Sequence, residues 1–311
     1  MKQWRKLAAV MAITAVLALA SGAQAVELVR YAQGGNLPAP DYGWWYGCTP
    51  TSAGMMTGYY DINGYGGFSY DNLVPGVVAA PSTPYLAPAG DAAGIATQAA
   101  IASPGHITDF YSGVGPGVGS GWSGDDLPAP WHGFNSLADF MGTSQDAYGS
   151  VNGSTWIYSY TDGSKLHYYE VPGLGITDES GMYGIYEYID YSSYGSNVID
   201  LYNQYTDNAH AAGFTLADYI VEIDAGRVVL IHVSGHTMLG LGYADANPSL
   251  ITIDDTWGAG TQTMAWGGIY SGREMFGVTV LELTAIPEPC TMSLLGLSLL
   301  GLAAYRRRRT A

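Results

Sequence analysis

The sequence predicts an α+β fold, and the order of its patterns carries that prediction. Helical patterns occur directly after Cys48 and over Thr215–Ala225, and a run of short strands fills the C-terminal third of the chain. The composition supplies a core, because 48% of the 311 residues are hydrophobic and only 12% are charged. A chain so poor in charge lacks the usual signature of disorder.

The first helix is predicted from about Pro50 to Asp61. Thr49 followed by Pro50 suits an N-cap and a first helical position. Apolar side chains then recur at helical spacing, and Gly64 is a suitable terminator.

Residues 66–212 are rich in Gly, Pro and Tyr, and we interpret them as a large loop-rich insertion in a single domain. Four short elements are expected within this segment. They are helix fragments at Asn135–Met141 and Ile185–Tyr191, and a hairpin of Thr155–Tyr160 with Leu166–Val171 around Asp162-Gly163.

The C-terminal third predicts an amphipathic helix followed by antiparallel strands. Gly226 ends the helix over Thr215–Ala225. The strands are expected at Val228–Val233, His236–Ala244, Leu250–Trp257 and Val278–Leu283, with a turn at Asp245–Pro248.

Both ends of the chain have sequence patterns typical of targeting segments. Residues 1–25 have a basic start, an apolar run and Ala23-Gln24-Ala25, which predicts a secretory signal peptide and a mature chain from Val26. Near the C-terminus stand Pro287-Glu288-Pro289, an apolar run over Thr291–Tyr305 and a basic tail of four arginines. A run of this length is nearly long enough for a membrane helix, and the basic tail predicts an exported body.

This C-terminal segment, residues 285–311, closely resembles the PEP-CTERM sorting signal of Gram-negative bacteria. The resemblance implies an exosortase as a processing partner, a transient membrane anchor through the helix, and delivery to the cell surface or an extracellular polysaccharide matrix. A simple single-helix anchor is the alternative interpretation. The domain organisation is therefore a signal peptide at 1–25, one domain at 26–284 and a sorting segment at 285–311.

The charge distribution argues against nucleic acid as a partner. Between residues 26 and 305 only Arg30, Lys165, Arg227 and Arg273 are basic, whereas all 27 acidic residues of the chain lie there. Phosphate backbones are bound through Lys and Arg, so a body this acidic would be repelled.

The chain has two cysteines, Cys48 and Cys290. In an exported protein the two are expected to pair in a disulfide. If processing removes the C-terminal segment, Cys48 stays alone, either as a reactive thiol or as a buried inert side chain.

Cys48, His236 and Asp255 form an arrangement suited to thiol chemistry. A helix N-terminus favours a negatively charged sulfur at Cys48, and a histidine can activate it. Strands joined by a tight turn bring His236 beside Asp254 and Asp255, one of which would orient the imidazole. Adjacent strand residues face opposite ways, so these two carboxylates compete for the role.

At these residues the chain resembles the papain-like cysteine peptidases, and within them the double-glycine-leader (bacteriocin-processing) branch. The resemblance lies in Tyr46–Asp61, Glu222–Val229, Gly235–Met238 and Asp255–Trp257. It implies a papain-like fold with Cys48 as nucleophile, His236 as general acid/base and Asp255 as orienter. The family usually has a Gln about six residues before the cysteine to bind the oxyanion, and Asp41–Gly47 contains none. Tyr42 or an indole N–H is the alternative donor.

We therefore expect an exported thiol hydrolase, a cysteine peptidase acting on peptides or proteins at the cell surface or in the matrix. No cofactor and no metal site are expected, because the histidines lack metal-ligand spacing. The alternative is a catalytically inactive peptidase-fold protein that binds the surface or the biofilm matrix, with extracellular polysaccharide as its partner.

Overall fold

An eight-stranded sheet, built largely from the C-terminal third, forms the centre of the fold. The computed structural model describes residues 36–110, 133–145, 148–150, 152–244 and 247–285, all within one compact unit. Its strands are β3 (Leu166–His167), β4 (Val198–Tyr205), β5 (Val229–Val233), β6 (His236–Ala244), β7 (Asn247–Asp254), β8 (Gln262–Ala265), β9 (Ile269–Tyr270) and β10 (Arg273–Leu283). The strand order is β3-β4-β10-β5-β6-β7-β8, every neighbouring pair is antiparallel, and β9 pairs with β10. Helices and an antiparallel sheet together make the described chain a mixed α and β structure.

Two short strands, seven α-helices and several 3₁₀ turns make up the rest of the described elements. Strands β1 (Asp41–Tyr42) and β2 (Ser82–Thr83) pair in parallel. The helices are α1 (Cys48–Asn63), α2 (Ala92–Ile101), α3 (Pro104–Phe110), α4 (Leu137–Phe140), α5 (Val171–Leu174), α6 (Gly181–Tyr191) and α7 (Leu216–Asp224). In the described part of the chain no helix is both long and apolar enough to cross a membrane. The predicted signal peptide at 1–25 and the predicted membrane helix at Thr291–Tyr305 lie outside the described residues.

Helix α1 is the core helix of the fold. Every residue from Thr49 to Asp61 is buried, as expected for a helix that is apolar or small on all sides. Its small residues allow close packing, since a Cβ on Gly54 would lie 2.5 Å from the Ile101 side chain. The Ser52 hydroxyl donates to the Thr237 carbonyl at 3.0 Å, which fixes the start of α1 against β6.

The predicted helices and central strands are confirmed at shifted boundaries. Helix α1 begins two residues earlier than predicted and ends two residues later, and α6 begins at Gly181 because Ser180 caps it. Strand β7 ends at Asp254, so the predicted strand over Leu250–Trp257 is wrong at its end. The chain turns there because the Asp254 and Asp255 carboxylates accept from the N–H groups two residues further on.

The interpretation of residues 66–212 is corrected in two places. The predicted hairpin is wrong, because Leu166 and His167 pair with β4 and not with Thr155–Tyr160. Strand β4 itself lies inside the segment, yet it is an interior strand of the sheet beside β10. Buried polar residues such as Asn203 interrupt its apolar pattern and hide it from sequence analysis.

Candidate functional site

Cys48 is the first residue of α1 and carries a free thiol. Gly47 precedes it in an extended conformation and accepts the Thr51 N–H at 3.1 Å, which starts the helix. Burial raises the pKa of the Cys48 thiol, and this effect outweighs the backbone N–H groups of Thr237, Thr49 and Cys48 and a hydrogen bond from the Thr49 hydroxyl, which would all favour the thiolate. The resting sulfur is therefore a protonated thiol near neutral pH. Cys290, its expected disulfide partner, lies outside the described residues.

His236 is the first residue of β6 and is buried. Its Nε2 lies 2.8 Å from the main-chain carbonyl oxygen of Asp255. A carbonyl only accepts, so Nε2 carries the hydrogen and, in the neutral ring, Nδ1 is the acceptor. The Trp257 ring stacks on the imidazole with 4.0 Å between centroids. Burial lowers the pKa of His236 to about 4, which keeps the ring neutral at physiological pH.

The Asp255 carboxylate does not bond to the imidazole. It accepts the Trp257 N–H at 3.0 Å and the Tyr270 hydroxyl at 2.5 Å. The contact that orients His236 comes instead from the Asp255 carbonyl, which these two hydrogen bonds hold in place. Tyr270 is thus a supporting residue that sequence analysis missed.

Asp254, the competing carboxylate, stabilises the turn that follows β7. Its Oδ1 accepts the Thr256 N–H at 3.0 Å. Burial, with a smaller contribution from the neighbouring Asp41, raises the pKa of Asp254 to about 7. Neither of the two adjacent carboxylates therefore hydrogen-bonds His236 among the described residues.

Cys48 and His236 line one cavity of about 260 Å³. The polar part of its wall includes Thr49, Thr237 and Ser154, and the apolar part includes Val233, Trp156, Ile157 and Phe276. Residues 154–157 come from the segment predicted as an insertion, so that segment helps to build the site. No sequence signal marked residues 154–157 as part of a functional site, because they lie in an irregular segment of the chain.

The segment 152–157 packs directly over the start of α1. Gly153 has a φ of +74°, and a Cβ there would lie 3.0 Å from the Gly47 Cα and 3.1 Å from the Tyr46 carbonyl oxygen. Trp156 is held by its carbonyl, which accepts the Gly181 N–H at 3.0 Å, and by its indole N–H, which donates to Tyr148. Residues 154–157 therefore form a part of the cavity wall that is fixed by contacts with the rest of the fold.

The expected side-chain donors for an oxyanion lie elsewhere. Tyr42, six residues before Cys48, is fully buried and donates to the Ala80 carbonyl at 2.8 Å. Trp44 and Trp45 are not among the residues that line the cavity. Of the hydroxyls on its wall, that of Thr155 contacts Thr143 at 2.7 Å, whereas the Ser154 hydroxyl has no hydrogen bond within the described ranges.

The described residues hold no group of three or more His, Cys, Asp or Glu side chains that is placed to bind a metal ion. His232, on β5, is fully buried. Its imidazole lies between the hydroxyls of Thr237 and Thr279.

Comparison with known proteins identifies the C-terminal segment. Residues 285–309 match the family model described as the PEP-CTERM protein-sorting motif. No curated protein and no solved structure matches the chain. The motif agrees with the resemblance found in the sequence and marks the chain as a secreted protein of a Gram-negative bacterium, processed by an exosortase and sorted to the surface.

Proposed function

We propose that the exported body is a papain-like thiol hydrolase that cleaves peptide bonds. The observation that supports this proposal best is the shared cavity, in which Cys48 at a helix N-terminus and His236 at a strand start face the same space. A nucleophile and a base brought together in this way are the minimum of covalent acyl-transfer catalysis.

The base in this proposal is Nδ1 of His236. The Asp255 carbonyl holds the hydrogen on Nε2, so the lone pair of the neutral ring is on Nδ1. Because burial raises the pKa of Cys48 and lowers that of His236 to about 4, the resting pair is neutral. The thiol proton then moves to Nδ1 as the sulfur attacks, and no ion pair forms beforehand.

The reaction follows from these positions. Sγ of Cys48 bonds to the scissile carbonyl carbon while Nδ1 takes the thiol proton, and the tetrahedral oxyanion faces the N-terminus of α1. The Cys48 amide is one oxyanion donor, and the Ser154 hydroxyl on the cavity wall takes the place of the missing Gln. His236 returns the proton to the leaving amine, and water then hydrolyses the thioester with His236 as base.

The cavity also favours a class of substrate. Its apolar wall of Val233, Trp156, Ile157 and Phe276 suits one aliphatic or aromatic side chain next to the scissile bond. A volume of about 260 Å³ limits that group to a single side chain. We infer that the substrates are surface or matrix polypeptides cut beside an apolar residue.

The proposal is tested with a library of short peptides on the parent protein and three variants. The parent is expected to cleave beside apolar residues, whereas Cys48→Ala and His236→Ala lose cleavage with unchanged thermal unfolding. Ser154→Ala is expected to lower the rate by about 10²–10³-fold, the usual cost of one oxyanion donor. Cleavage that survives in Cys48→Ala would contradict the proposal.

A non-catalytic role is the second candidate, and the thiol itself favours it. Its pKa is raised by burial, and no side chain of Asp41–Gly47 lines the cavity as an oxyanion donor. A protein of this kind would bind the surface matrix through a peptidase-like body. Equal binding of extracellular polysaccharide by the parent and by Cys48→Ala, with no turnover by either, would support it.

A further inference from the structure

A line of buried polar side chains crosses the sheet and ends at the nucleophile. It begins at Asn203 on β4 and passes through Thr279 on β10, His232 on β5 and Thr237 on β6 to Thr49 on α1. Each of these side chains is at least nine-tenths buried. The contacts are 2.6 Å from Thr279 to Asn203, 2.7 Å from His232 Nε2 to Thr279, 3.1 Å from His232 Nδ1 to Thr237 and 3.0 Å from Thr237 to Thr49.

The far end of this line fixes the direction of its hydrogen bonds. Asn203 Nδ2 donates to the Tyr158 carbonyl at 2.9 Å, so its Oδ1 faces Thr279 and only accepts. The Thr279 hydroxyl must therefore give its one hydrogen to Asn203. His232 Nε2 then has to donate to the Thr279 oxygen.

The hydrogen bonds between His232 and the thiol have fixed directions as well. With its hydrogen on Nε2, a neutral His232 accepts at Nδ1, so the Thr237 hydroxyl donates there. Burial lowers the pKa of His232 to about 3, which keeps the ring neutral. Thr237 has no second hydrogen, so Thr49 donates to it, and the Thr49 oxygen is left as an acceptor 3.9 Å from Sγ of Cys48.

We propose that His232 is a positioning residue that, through Thr237 and Thr49, presents an acceptor oxygen to Cys48 and so holds the resting nucleophile as a thiol. This inference rests on the proposed role of Cys48 as nucleophile. The Thr49 hydroxyl favours a thiolate only when its hydrogen points at the sulfur, and in this line that hydrogen is given to Thr237. A thiolate would therefore face a lone pair of Thr49, whereas the S–H group finds a partner there. If every hydrogen bond in the line had the opposite direction, the Asn203 amide would have to flip. Its Oδ1 would then face the Tyr158 carbonyl oxygen, which places two acceptors against each other.

The consequence is protection of a cysteine that works outside the cytoplasm. Thiolates are the forms that oxidants attack, and exported proteins meet an oxidising environment. The line keeps the sulfur protonated until the substrate enters the cavity, where His236 is the one other titratable side chain among the described lining residues.

The test is the pH dependence of Cys48 alkylation by iodoacetamide, followed by mass spectrometry on the full chain. Thr279→Val removes the acceptor of His232 Nε2, so the ring can change tautomer and the Thr237 and Thr49 hydroxyls can turn towards the sulfur. The midpoint of alkylation is expected to fall by about half a pH unit, the size of a weak hydrogen bond to a charged sulfur. Thr279→Ser keeps the hydroxyl and is the matched control, with an unchanged midpoint.

Two further variants keep the result interpretable. Thr237→Val cuts the line next to Thr49 and is expected to give the same downward shift if Thr279→Val does not fold. In Thr49→Val, addition of Thr279→Val should cause no further shift, because the coupling passes through the Thr49 hydroxyl. A midpoint that is unchanged in folded Thr279→Val and Thr237→Val would overturn the inference.

This readout separates the inference from the proposed function, because alkylation needs no turnover. A cleaving enzyme whose midpoint does not move in these variants overturns only the role of His232. A protein without turnover whose midpoint shifts as expected supports the hydrogen-bond line and overturns only the peptidase proposal.

Discussion

Replacing Asp255 by Asn separates two ways of orienting His236. If the carboxylate were the orienter, as the resemblance to papain-like peptidases implies, the substitution would resemble the loss of a triad carboxylate and cost about 10⁴-fold in kcat. The structure gives the role to the Asp255 main-chain carbonyl, 2.8 Å from Nε2, and that group is the same in the variant.

The expected magnitude follows from the contacts of the carboxylate. The Asn oxygen can still accept the Trp257 N–H, and its NH₂ group can donate to the Tyr270 oxygen, so both positions keep a partner. The two hydrogen bonds lose only the contribution of the negative charge, which is worth about 1 kcal/mol for the pair. Even if all of it were added to the activation free energy, kcat/KM would fall by less than about tenfold.

The assay compares kcat/KM of the parent, Asp255→Asn, Asp255→Ala and His236→Ala on a peptide with an apolar residue at the cut. Asp255→Ala loses both contacts, so it is expected to lower the free energy of unfolding by about 2–4 kcal/mol as well as the rate. A loss of about 10⁴-fold in a stably folded Asp255→Asn, comparable to that of His236→Ala, would refute the carbonyl as the orienting group.

Three further predictions concern pH and packing. The rate kcat/KM is expected to fall as the pH drops through about 4 rather than 6.5, because burial lowers the pKa of His236 and the base must be neutral; an acid limb centred near 6.5 would contradict this. Gly153→Ala is expected to lower the free energy of unfolding by about 2 kcal/mol, since its φ is +74° and its Cβ would press on Gly47. In chemical denaturation, Gly149→Ala, with a φ of +68° and open space around the Cβ, should cost less and is the matched control. The raised pKa of Asp254 means that, between about pH 4 and 7, the native parent holds a proton that the unfolded chain releases, so the parent loses stability as the pH rises. The free energy of unfolding of Asp254→Asn is therefore expected to increase relative to that of the parent over this range, and a difference that does not change with pH would argue against this buried carboxyl.

The parts of the fold that sequence analysis predicted are those with a nearly continuous pattern. Helix α1 has small or apolar residues along most of its length, and four of the five residues of β5 are aliphatic, so both stand out without tertiary information. Strand β4 was hidden because it buries Asn203 and Gln204, whose partners come from distant parts of the chain.

In the candidate site, too, sequence analysis identified the residues but not the contacts between distant parts of the chain. Cys48, His236 and Asp255 were selected from their residue types and order, yet a pattern cannot tell a side-chain carboxylate from a main-chain carbonyl. The turn after β7 decides that question here, since Asp255 directs its carboxylate to Trp257 and Tyr270. The line from His232 to Thr49 depends on strand register and hydroxyl direction, which no local pattern encodes.

The most direct test of the central claim is the mass of Cys48 after brief mixing with a p-nitrophenyl ester of an N-acylated leucine. We predict that the peptide containing Cys48 gains the mass of the acyl group in the parent and gains it far more slowly in folded His236→Ala. Equal labelling of the parent and His236→Ala, or no acylation of Cys48 in the parent, would contradict a Cys48–His236 hydrolase.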